Sequence, residues 1–327
     1  MSYLLLLGGL VLLIGGGELL VRGAVRLAAG IGVSPLVIGL TVVGFGTSTP
    51  ELVTSVQAAL SGTPGIAIGN IVGSNIANVL LILGCSALLY PIAVNSAALR
   101  RDGAVLIAVT VAFVVLAAAM PLGRVIGTCS VLLLVWYVAY LIRAERGAPA
   151  DAHGAVHDKA VALEHVDAAL DPALAKPSHA GLSALLCLVG LGLLVFGGSL
   201  FVSGAVALAQ QLGVSDTVIG LTVVAVGTSL PEFITSVIAA VRKEADVAFG
   251  NIVGSNIYNL LGIGGLTALT APLTVPPQMV AFDNLAMLAA ALLMVGFAWT
   301  GLRIGRREGA VMLGGYVAYV YLLWPAS

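Results

Sequence analysis

Long apolar segments separated by short polar turns dominate the hydrophobic pattern of this chain. A membrane-spanning helix needs about 20 predominantly apolar residues, whereas the strands of a membrane barrel alternate polar and apolar positions. The segments here are long and do not alternate, so they predict an all-α polytopic membrane protein with ten transmembrane helices. The predicted spans are residues 3–21, 34–60, 66–89, 103–120, 125–143, 181–208, 215–241, 247–271, 280–300 and 308–324.

The composition supports a membrane protein and argues against other classes. Hydrophobic residues make up 60 % of the chain and charged residues only 9 %, whereas soluble domains carry about a quarter charged residues. The formal net charge of −1 gives no indication of a nucleic-acid partner. The first residues lack the basic region of a signal peptide, so the first span is expected to stay in the protein.

One stretch of sequence occurs twice, 181 residues apart. Residues 39–59 read GLTVVGFGTSTPELVTSVQAA, and residues 220–240 read GLTVVAVGTSLPEFITSVIAA. The segment GNIVGSNI is also present twice, at 69–76 and at 250–257. This internal repeat predicts two halves with the same local structure.

The ten spans divide into five in each half, at residues 1–143 and 181–327, with a linker at 144–180. An odd number of spans per half makes the second copy enter the membrane from the opposite side, which gives the inverted repeats common in secondary transporters. With both termini outside, thirteen of the fourteen Lys and Arg residues lie on the cytoplasmic side, as the positive-inside rule favours. The linker carries all four histidines and is interpreted as a solvated cytoplasmic loop rather than a metal sensor.

Each repeat places a glutamate beside a proline inside an apolar stretch. Glu51 follows Pro50, and Glu232 follows Pro231. Proline interrupts a helix and frees backbone carbonyls, and a carboxylate inside a membrane is costly enough to indicate a functional site. Gly and Ser alone would more often mark close helix packing, but two glutamates at matched positions favour a cation site shared by both halves.

The oxygen atoms near these glutamates predict the kind of cation. The following span of each half is expected to break at its two glycines and to present a serine and an asparagine on one helix face. No His or Cys joins this set, and ligation by oxygen alone suits hard cations such as Ca²⁺. The candidate ligands are the side chains of Thr47, Ser48, Glu51, Ser74, Asn78, Thr228, Ser229, Glu232, Ser255 and Asn259.

Other polar residues leave alternatives open. Asp102 lies among basic residues and is expected to be solvated. Asp283 begins a span on the outer side, where it could attract cations, but it is expected to cap its helix. Four further asparagines could either bind ions or hydrogen-bond the broken helices; they are Asn70, Asn75, Asn251 and Asn256.

The motifs GTSTPELVTS and GTSLPEFITS, with GNIVGSNIANVL and GNIVGSNIYNLL, closely resemble the two alpha-repeats of the calcium/cation antiporter superfamily. Among its members, the chain is most similar to prokaryotic sodium/calcium exchangers, and the resemblance covers nearly the whole chain. It implies a prokaryotic cell membrane, Na⁺ influx that drives Ca²⁺ efflux, a single chain as the working unit, and no cofactor. It also implies main-chain ligands at Gly44 and Ala225, and first and sixth spans that slide together on glycine-rich surfaces.

The driving ion stays open between two alternatives. The leading function is a Na⁺/Ca²⁺ antiporter that works by alternating access, and the alternative is a Ca²⁺/H⁺ antiporter on the same scaffold. Asn259 lies at a position where some relatives, including potassium-dependent exchangers, carry aspartate. The neutral asparagine gives the site one carboxylate fewer, which argues against K⁺ co-transport. A Ca²⁺ channel is less expected because channels commonly build acidic rings from several subunits. An intramembrane hydrolase, the enzyme alternative, lacks an accompanying His or paired Asp.

Overall fold

The computed structural model describes residues 2–30, 46–94, 96, 99–145, 180–241 and 245–324. The described part of the first half is helical apart from one short strand between α3 and α4. Its elements are α1 (Ser2–Gly30), α2 (Thr49–Leu60), α3 (Pro64–Leu89), β1 (Ile92–Ala93), α4 (Leu99–Ala119) and α5 (Arg124–Glu145).

The second half has a similar order of elements. Its elements are α6 (Ala180–Leu212), α7 (Asp216–Thr228), α8 (Leu230–Val241), α9 (245–270), α10 (Met279–Gly301), β2 (Arg303–Ile304) and α11 (Arg306–Leu323).

Seven of the described helices are long and apolar enough to cross a membrane, and α7 with α8 forms an eighth candidate. The predicted span at 34–60 is represented by α2 alone, because residues 31–45 lie outside the described residues. Helix α11 is 18 residues long but begins with three charged residues, Arg306, Arg307 and Glu308. The chain is therefore a multi-pass helical membrane protein, and the count of ten spans stays a prediction.

Both copies interrupt their helices at the proline motif. Helix α2 begins with Pro50 in its first turn and Ser48 as its N-cap residue, a position where the missing proline N–H leaves no helical bond unmade. In the second copy the chain bends by 50° between α7, which ends at Thr228, and α8, which contains Pro231. The breaks predicted beside the two prolines are confirmed.

The breaks predicted at the glycines of the following span are wrong. Helix α3 continues through Gly69 and Gly73, and α9 continues through its two equivalent glycines. The glycines instead let α7 approach α3 closely. A Cβ atom on Gly69 would lie 2.9 Å from the Gly220 Cα, and one on Gly73 would lie 2.5 Å from the Leu221 carbonyl oxygen.

Helices α1 and α6 pack antiparallel along a seam of glycines spaced seven residues apart. Seven-residue spacing keeps one helix face toward its partner, and small residues let two backbones approach closely. A Cβ atom on Gly16 would lie only 2.9 Å from the Gly190 carbonyl oxygen. The two long helices therefore form one packed unit. The seam consists of Gly9, Gly16 and Gly23 on α1 and Gly190, Gly197 and Gly204 on α6.

Two short backbone bridges link the halves. Strands β1 and β2 pair antiparallel and match Ile92 with Ile304, and Leu122 pairs with Leu273 in an isolated bridge. Ile92 and Leu273 are 181 residues apart, and Leu122 and Ile304 become equivalent if the second copy has one extra residue. The two bridges are thus one type of contact made twice, each time between opposite halves.

A buried aspartate lies near the start of α4 and of α10. Asp102 is 0 % exposed, accepts a hydrogen bond from the Tyr137 hydroxyl at 2.9 Å and pairs with Arg101 at 2.8 Å. The expected solvation of Asp102 is therefore wrong, because packing brings these partners over the carboxylate. Asp283 is also 0 % exposed and accepts from the Tyr319 hydroxyl at 3.0 Å. It makes no side-chain capping bond to α10, so the expected cap is wrong as well.

Candidate cation-binding site

The two glutamates of the repeated motif lie in the first turns of α2 and α8, directly after the helix breaks. Glu51 is 1 % exposed and Glu232 is 0 % exposed. Backbone N–H groups at the start of a helix have no partner within the helix, so this end favours a negative charge. Both carboxylates are held inside the protein at places where helix geometry helps to stabilise them.

Each glutamate accepts a hydrogen bond from a serine of the opposite half. Ser48 Oγ donates to Glu232 Oε1 at 2.6 Å, and Ser229 Oγ donates to Glu51 Oε1 at 2.9 Å. Hydrogen bonds to an ionised acceptor are shorter and stronger than neutral ones. The two bonds are equivalent in the repeat, and they bring both motifs to one place between α2 and α8.

An asparagine from the following helix holds the backbone of each glutamate. Asn70 Nδ2 donates to the Glu51 main-chain oxygen at 3.1 Å and to Ser55 Oγ at 2.9 Å. Asn251 makes the same two bonds in the second half, at 3.5 and 2.8 Å. These bonds fix α3 against α2 and α9 against α8. The sequence left two alternatives for Asn70 and Asn251, ion binding or hydrogen bonding to the broken helices. The structure contains the hydrogen bonds.

The main-chain oxygen of Ala225 faces polar side chains from two helices. Ser74 Oγ lies 3.4 Å from it and Thr228 Oγ1 lies 3.3 Å from it. Thr228 Oγ1 also lies 3.0 Å from Asn70 Oδ1. A hydroxyl has one proton to donate and two lone pairs, so Thr228 can satisfy an acceptor while its oxygen still faces a cation.

The asparagines of the candidate set lie in π-helical turns, Asn78 within Ala77–Leu83 and Asn259 within Asn259–Ile263. Such turns are rare and frequent at functional sites. Asn78 Nδ2 donates across to Asn256 Oδ1 at 2.9 Å. The sequence pattern did not reveal this link or the turns, because nothing in it separates a π-helical turn from an α-helical one.

Three buried neutral oxygens of the candidate set have no hydrogen-bond partner among the described residues: Thr47 Oγ1, Asn78 Oδ1 and Asn259 Oδ1. A buried polar atom left without a partner costs about 1–3 kcal/mol, so such atoms beside two carboxylates fit a hard cation. Ser255 is buried too, whereas Gly44 lies outside the described residues. Within the described ranges no group of three or more His, Cys, Asp or Glu could hold a metal.

The whole chain is similar to known membrane antiporters. A family model described as sodium/calcium exchanger protein matches residues 1–144 and 182–324. The chain is 38 % identical to the putative antiporter CaxA of Alkalimonas amylolytica, over 100 % of this chain and 99 % of that protein. It is 37 % identical to the sodium/calcium exchanger MaX1 of Methanosarcina acetivorans, over 99 % of each chain.

The fold is similar to that of solved structures of the sodium-calcium exchanger NCX_Mj. One of them, soaked with 100 mM Na⁺ and 10 mM Sr²⁺, gives a TM-score of 0.62 at 32 % identity and covers 98 % of this chain and 99 % of the other. Another, soaked with 2.5 mM Na⁺ and 0.1 mM Ca²⁺, gives 0.63 at 31 % identity over 99 % and 98 %. The similarity in sequence and in structure therefore extends over nearly the entire chain.

Proposed function

The chain belongs to the sodium/calcium exchanger protein family, and we propose that it exchanges Na⁺ for Ca²⁺ across the cell membrane by alternating access. The observation that carries the proposal is the reciprocal bonding of Glu51 and Glu232 by serines of the opposite halves. Two buried carboxylates thereby converge on one place. MaX1 and NCX_Mj, which are similar over nearly their whole lengths, are named as exchangers of these two ions.

The proposed site is a single oxygen cage used by both ions. Two carboxylates balance the charge of one Ca²⁺ or part of the charge of several Na⁺. The neutral oxygens that have no partner in the described part of the chain are suited to complete the shell. The proposed ligands are Glu51 and Glu232, the side chains of Thr47, Ser48, Ser74, Asn78, Thr228, Ser229, Ser255 and Asn259, and the main-chain oxygens of Gly44 and Ala225.

Shared carboxylates couple the two ion flows. Because Ca²⁺ and Na⁺ need the same oxygens, binding of one ion excludes the other. A site with two uncompensated charges is costly to bury, so the conformational change that closes the site is favourable only with ions bound. The protein then has ions bound whenever it changes conformation, in either direction, which makes the transport an exchange rather than a leak.

The proposed architecture is ten spans in two inverted halves, at 1–143 and 181–327, joined by a cytoplasmic linker at 144–180. Three observations support it: the Ser–Glu bonds, the backbone bridges and the Asp–Tyr bonds each occur twice at equivalent repeat positions. The distribution of Lys and Arg favours both termini outside a prokaryotic cell.

The proposed motion is a sliding of α1 and α6 together across the broken helix. The seam around Gly16 holds the two helices to each other, whereas the neighbouring glycines face α2. A Cβ atom on Gly17 would lie 3.8 Å from Pro50 Cδ, and one on Gly198 would lie 2.8 Å from Val53 Cγ1. The seam glycines, such as Gly16, thus keep α1 and α6 together. Gly17 and Gly198 instead keep side-chain bulk off the surface along which the two helices slide past α2.

Ca²⁺ uptake into Na⁺-loaded proteoliposomes tests the proposal. Dilution into Na⁺-free buffer should drive accumulation of labelled Ca²⁺ by the wild type, and Glu51→Gln and Glu232→Gln should each reduce it to background. Glu18→Gln is the matched control, because Glu18 is 44 % exposed and pairs with Arg22. Uptake driven only by a pH gradient would favour the Ca²⁺/H⁺ alternative, and wild-type uptake by either site variant would refute the shared site.

A further inference from the structure

Two kinds of hydrogen bond around the site are made once each, although the repeat contains the residues to make each of them twice. Thr228 Oγ1 lies 3.0 Å from Asn70 Oδ1 of α3 and also 3.0 Å from the Val224 main-chain oxygen of its own helix, so its hydroxyl can donate across to α3. The equivalent pair, 181 residues away in the repeat, is Thr47 and Asn251. Both Thr47 Oγ1 and Asn251 Oδ1 have no hydrogen-bond partner among the described residues. This bond therefore exists once where the repeat provides for it twice.

A second pair of residues shows the same asymmetry. Asn78 Nδ2 donates to Asn256 Oδ1 at 2.9 Å. The equivalent bond would run from Asn259 Nδ2 to Asn75 Oδ1, and neither atom has a partner in the described ranges. The Asn75 amide instead donates to the Ile71 carbonyl of its own helix at 2.7 Å. The equivalent amide of α9 differs, because Asn256 Nδ2 lies 3.3 Å from the Asn75 main-chain oxygen of the opposite half.

All four residues with open atoms are buried: Thr47 is 9 % exposed, Asn251 0 %, Asn75 2 % and Asn259 1 %. Buried polar atoms without partners are disfavoured, and these four are the atoms that would form the two missing bonds. Unrelated packing defects would have no reason to fall on both members of two equivalent pairs. The asymmetry therefore indicates two alternative arrangements of one symmetric set of groups.

We infer that these bonds exchange during transport. One set of bonds stabilises the conformation of this structure: Thr228–Asn70 and Asn78–Asn256. The equivalent set stabilises the conformation that is open to the opposite side of the membrane: Thr47–Asn251 and Asn259–Asn75. Transporters with inverted repeats alternate access by moving the two halves around one fixed site, and here the two conformations would exchange the local bonds of the halves. The inference rests on the alternating access of the proposed function, and it makes the four partner asparagines positioning residues, which act through the ligands that they hold.

The exchange explains how the switch can be reversible at small cost. Each conformation makes one Thr–Asn and one Asn–Asn bond, so the two states balance and neither traps the protein. Opening one set frees the donor groups of its ligands, the threonine Oγ1–H and the asparagine Nδ2–H, while closing the other set engages the equivalent donors. The side chains held in place beside an ion would thereby change between the two halves as the open side changes.

Side-specific labelling of buried cysteines tests the exchange. Thr54→Cys and Thr235→Cys place reporters at equivalent buried positions, three residues after the two glutamates on α2 and α8. The background carries alanine at the three native cysteines, Cys85, Cys129 and Cys187. The ratio of the two labelling rates with a thiol reagent, measured in separate reporter proteins, reports the balance between the two open conformations.

The four bonding variants should fall into two groups of opposite sign. Asn256→Ala and Thr228→Val remove bonds of the present conformation and should shift the ratio one way. Asn259→Ala and Thr47→Val remove bonds of the opposite conformation only, because neither polar side chain has a partner in the described part of the chain, and should shift the ratio the other way. Loss of one neutral hydrogen bond predicts a shift of roughly two- to tenfold. If an asparagine variant fails to fold, the threonine variants still test the sign.

Ser86→Ala and Thr267→Val are the matched controls. These hydroxyls are also buried, equivalent in the repeat and without partners among the described residues, but they belong to neither pair. Shifts of one sign for all four variants, or no shift beyond the controls, would overturn the inference. The labelling ratio does not measure ion flux. Opposite shifts in a protein that fails to take up Ca²⁺ would therefore uphold the exchange of hydrogen bonds and reject Na⁺/Ca²⁺ antiport.

Discussion

A single methyl group at Gly73 should impair the site without replacing any ligand. Gly73 lies on α3, where the backbone of α7 crosses it. A Cβ atom there would lie 2.5 Å from the Leu221 carbonyl oxygen and 2.8 Å from the Ala225 Cβ. Helix α7 also carries the Ala225 carbonyl and Thr228, so Gly73→Ala should push these candidate ligands away from Ser74 and Asn70.

The size of the displacement follows from the contact distances. An ordinary van der Waals contact begins at 3.4 Å, so α7 must move by about 0.9 Å at this point. Ca²⁺–oxygen bonds span only about 2.3–2.6 Å, and such a movement is enough to remove a ligand. We expect the half-saturating Ca²⁺ concentration to rise roughly ten- to a hundredfold, the scale on which 1 Å displacements act on preorganised groups. Overpacking should also destabilise the fold by about 1–3 kcal/mol.

A graded series of alanine variants separates this effect from helix propensity. Gly69→Ala meets the Gly220 backbone at 2.9 Å and should have a smaller effect, and Gly296→Ala in α10 has nothing within 4 Å and should have none. Na⁺-driven Ca²⁺ uptake at varied Ca²⁺ concentration gives the apparent affinity, and thermal unfolding in detergent gives stability. Equal affinities for Gly73→Ala and Gly296→Ala would refute the reasoning.

Three further predictions concern charge and its partners. Ser48→Ala and Ser229→Ala should each weaken Ca²⁺ uptake to a similar degree, because each removes a hydrogen bond to a carboxylate, about 1.5–3 kcal/mol. Apparent Ca²⁺ affinities of the two variants that differ by far more than tenfold would contradict a site with equivalent halves. Asn259→Asp adds a titratable carboxyl to the site, so uptake should fall more steeply on acidification than in the wild type, and parallel pH profiles would contradict this. Asp102→Asn should lower thermal stability more than Asp283→Asn, because it also removes the ion pair with the half-buried Arg101, about 1.5–3 kcal/mol. Equal melting temperatures would refute that account.

Some of this site could be predicted from sequence because local chemistry fixes it. Proline cannot continue a helix, so the break beside Pro50 follows from one residue. A carboxylate inside an apolar stretch needs compensation, so the burial of Glu51 was also foreseeable. The constant spacing of the repeat indicated that Glu232 would have the same surroundings, and the crossed serine bonds agree with that expectation.

Other features depend on contacts between distant residues and could not be predicted in this way. Gly69 suited a broken helix and a close helix contact equally well, and only the position of α7 decides between them. Asp102 was expected in solvent because its sequence neighbours are basic, yet Tyr137, 35 residues away, covers it. The Asn78–Asn256 bond joins residues 178 apart, and no local pattern indicates which asparagine would be the partner.

One difference between the two copies bears on orientation in the membrane rather than on folding. Both copies keep a buried aspartate bonded by a tyrosine, so this contact serves the fold. The first copy adds Arg101 beside its aspartate, whereas the equivalent residue of the second copy is Phe282, whose ring stacks on Tyr319 at 6.0 Å. If the two copies are inverted as proposed, copies with identical charges would insert equally well either way up, and only residues that are not duplicated can select one orientation. An arginine in one copy that is replaced by an aromatic packing residue in the other meets that requirement while both halves keep the same fold.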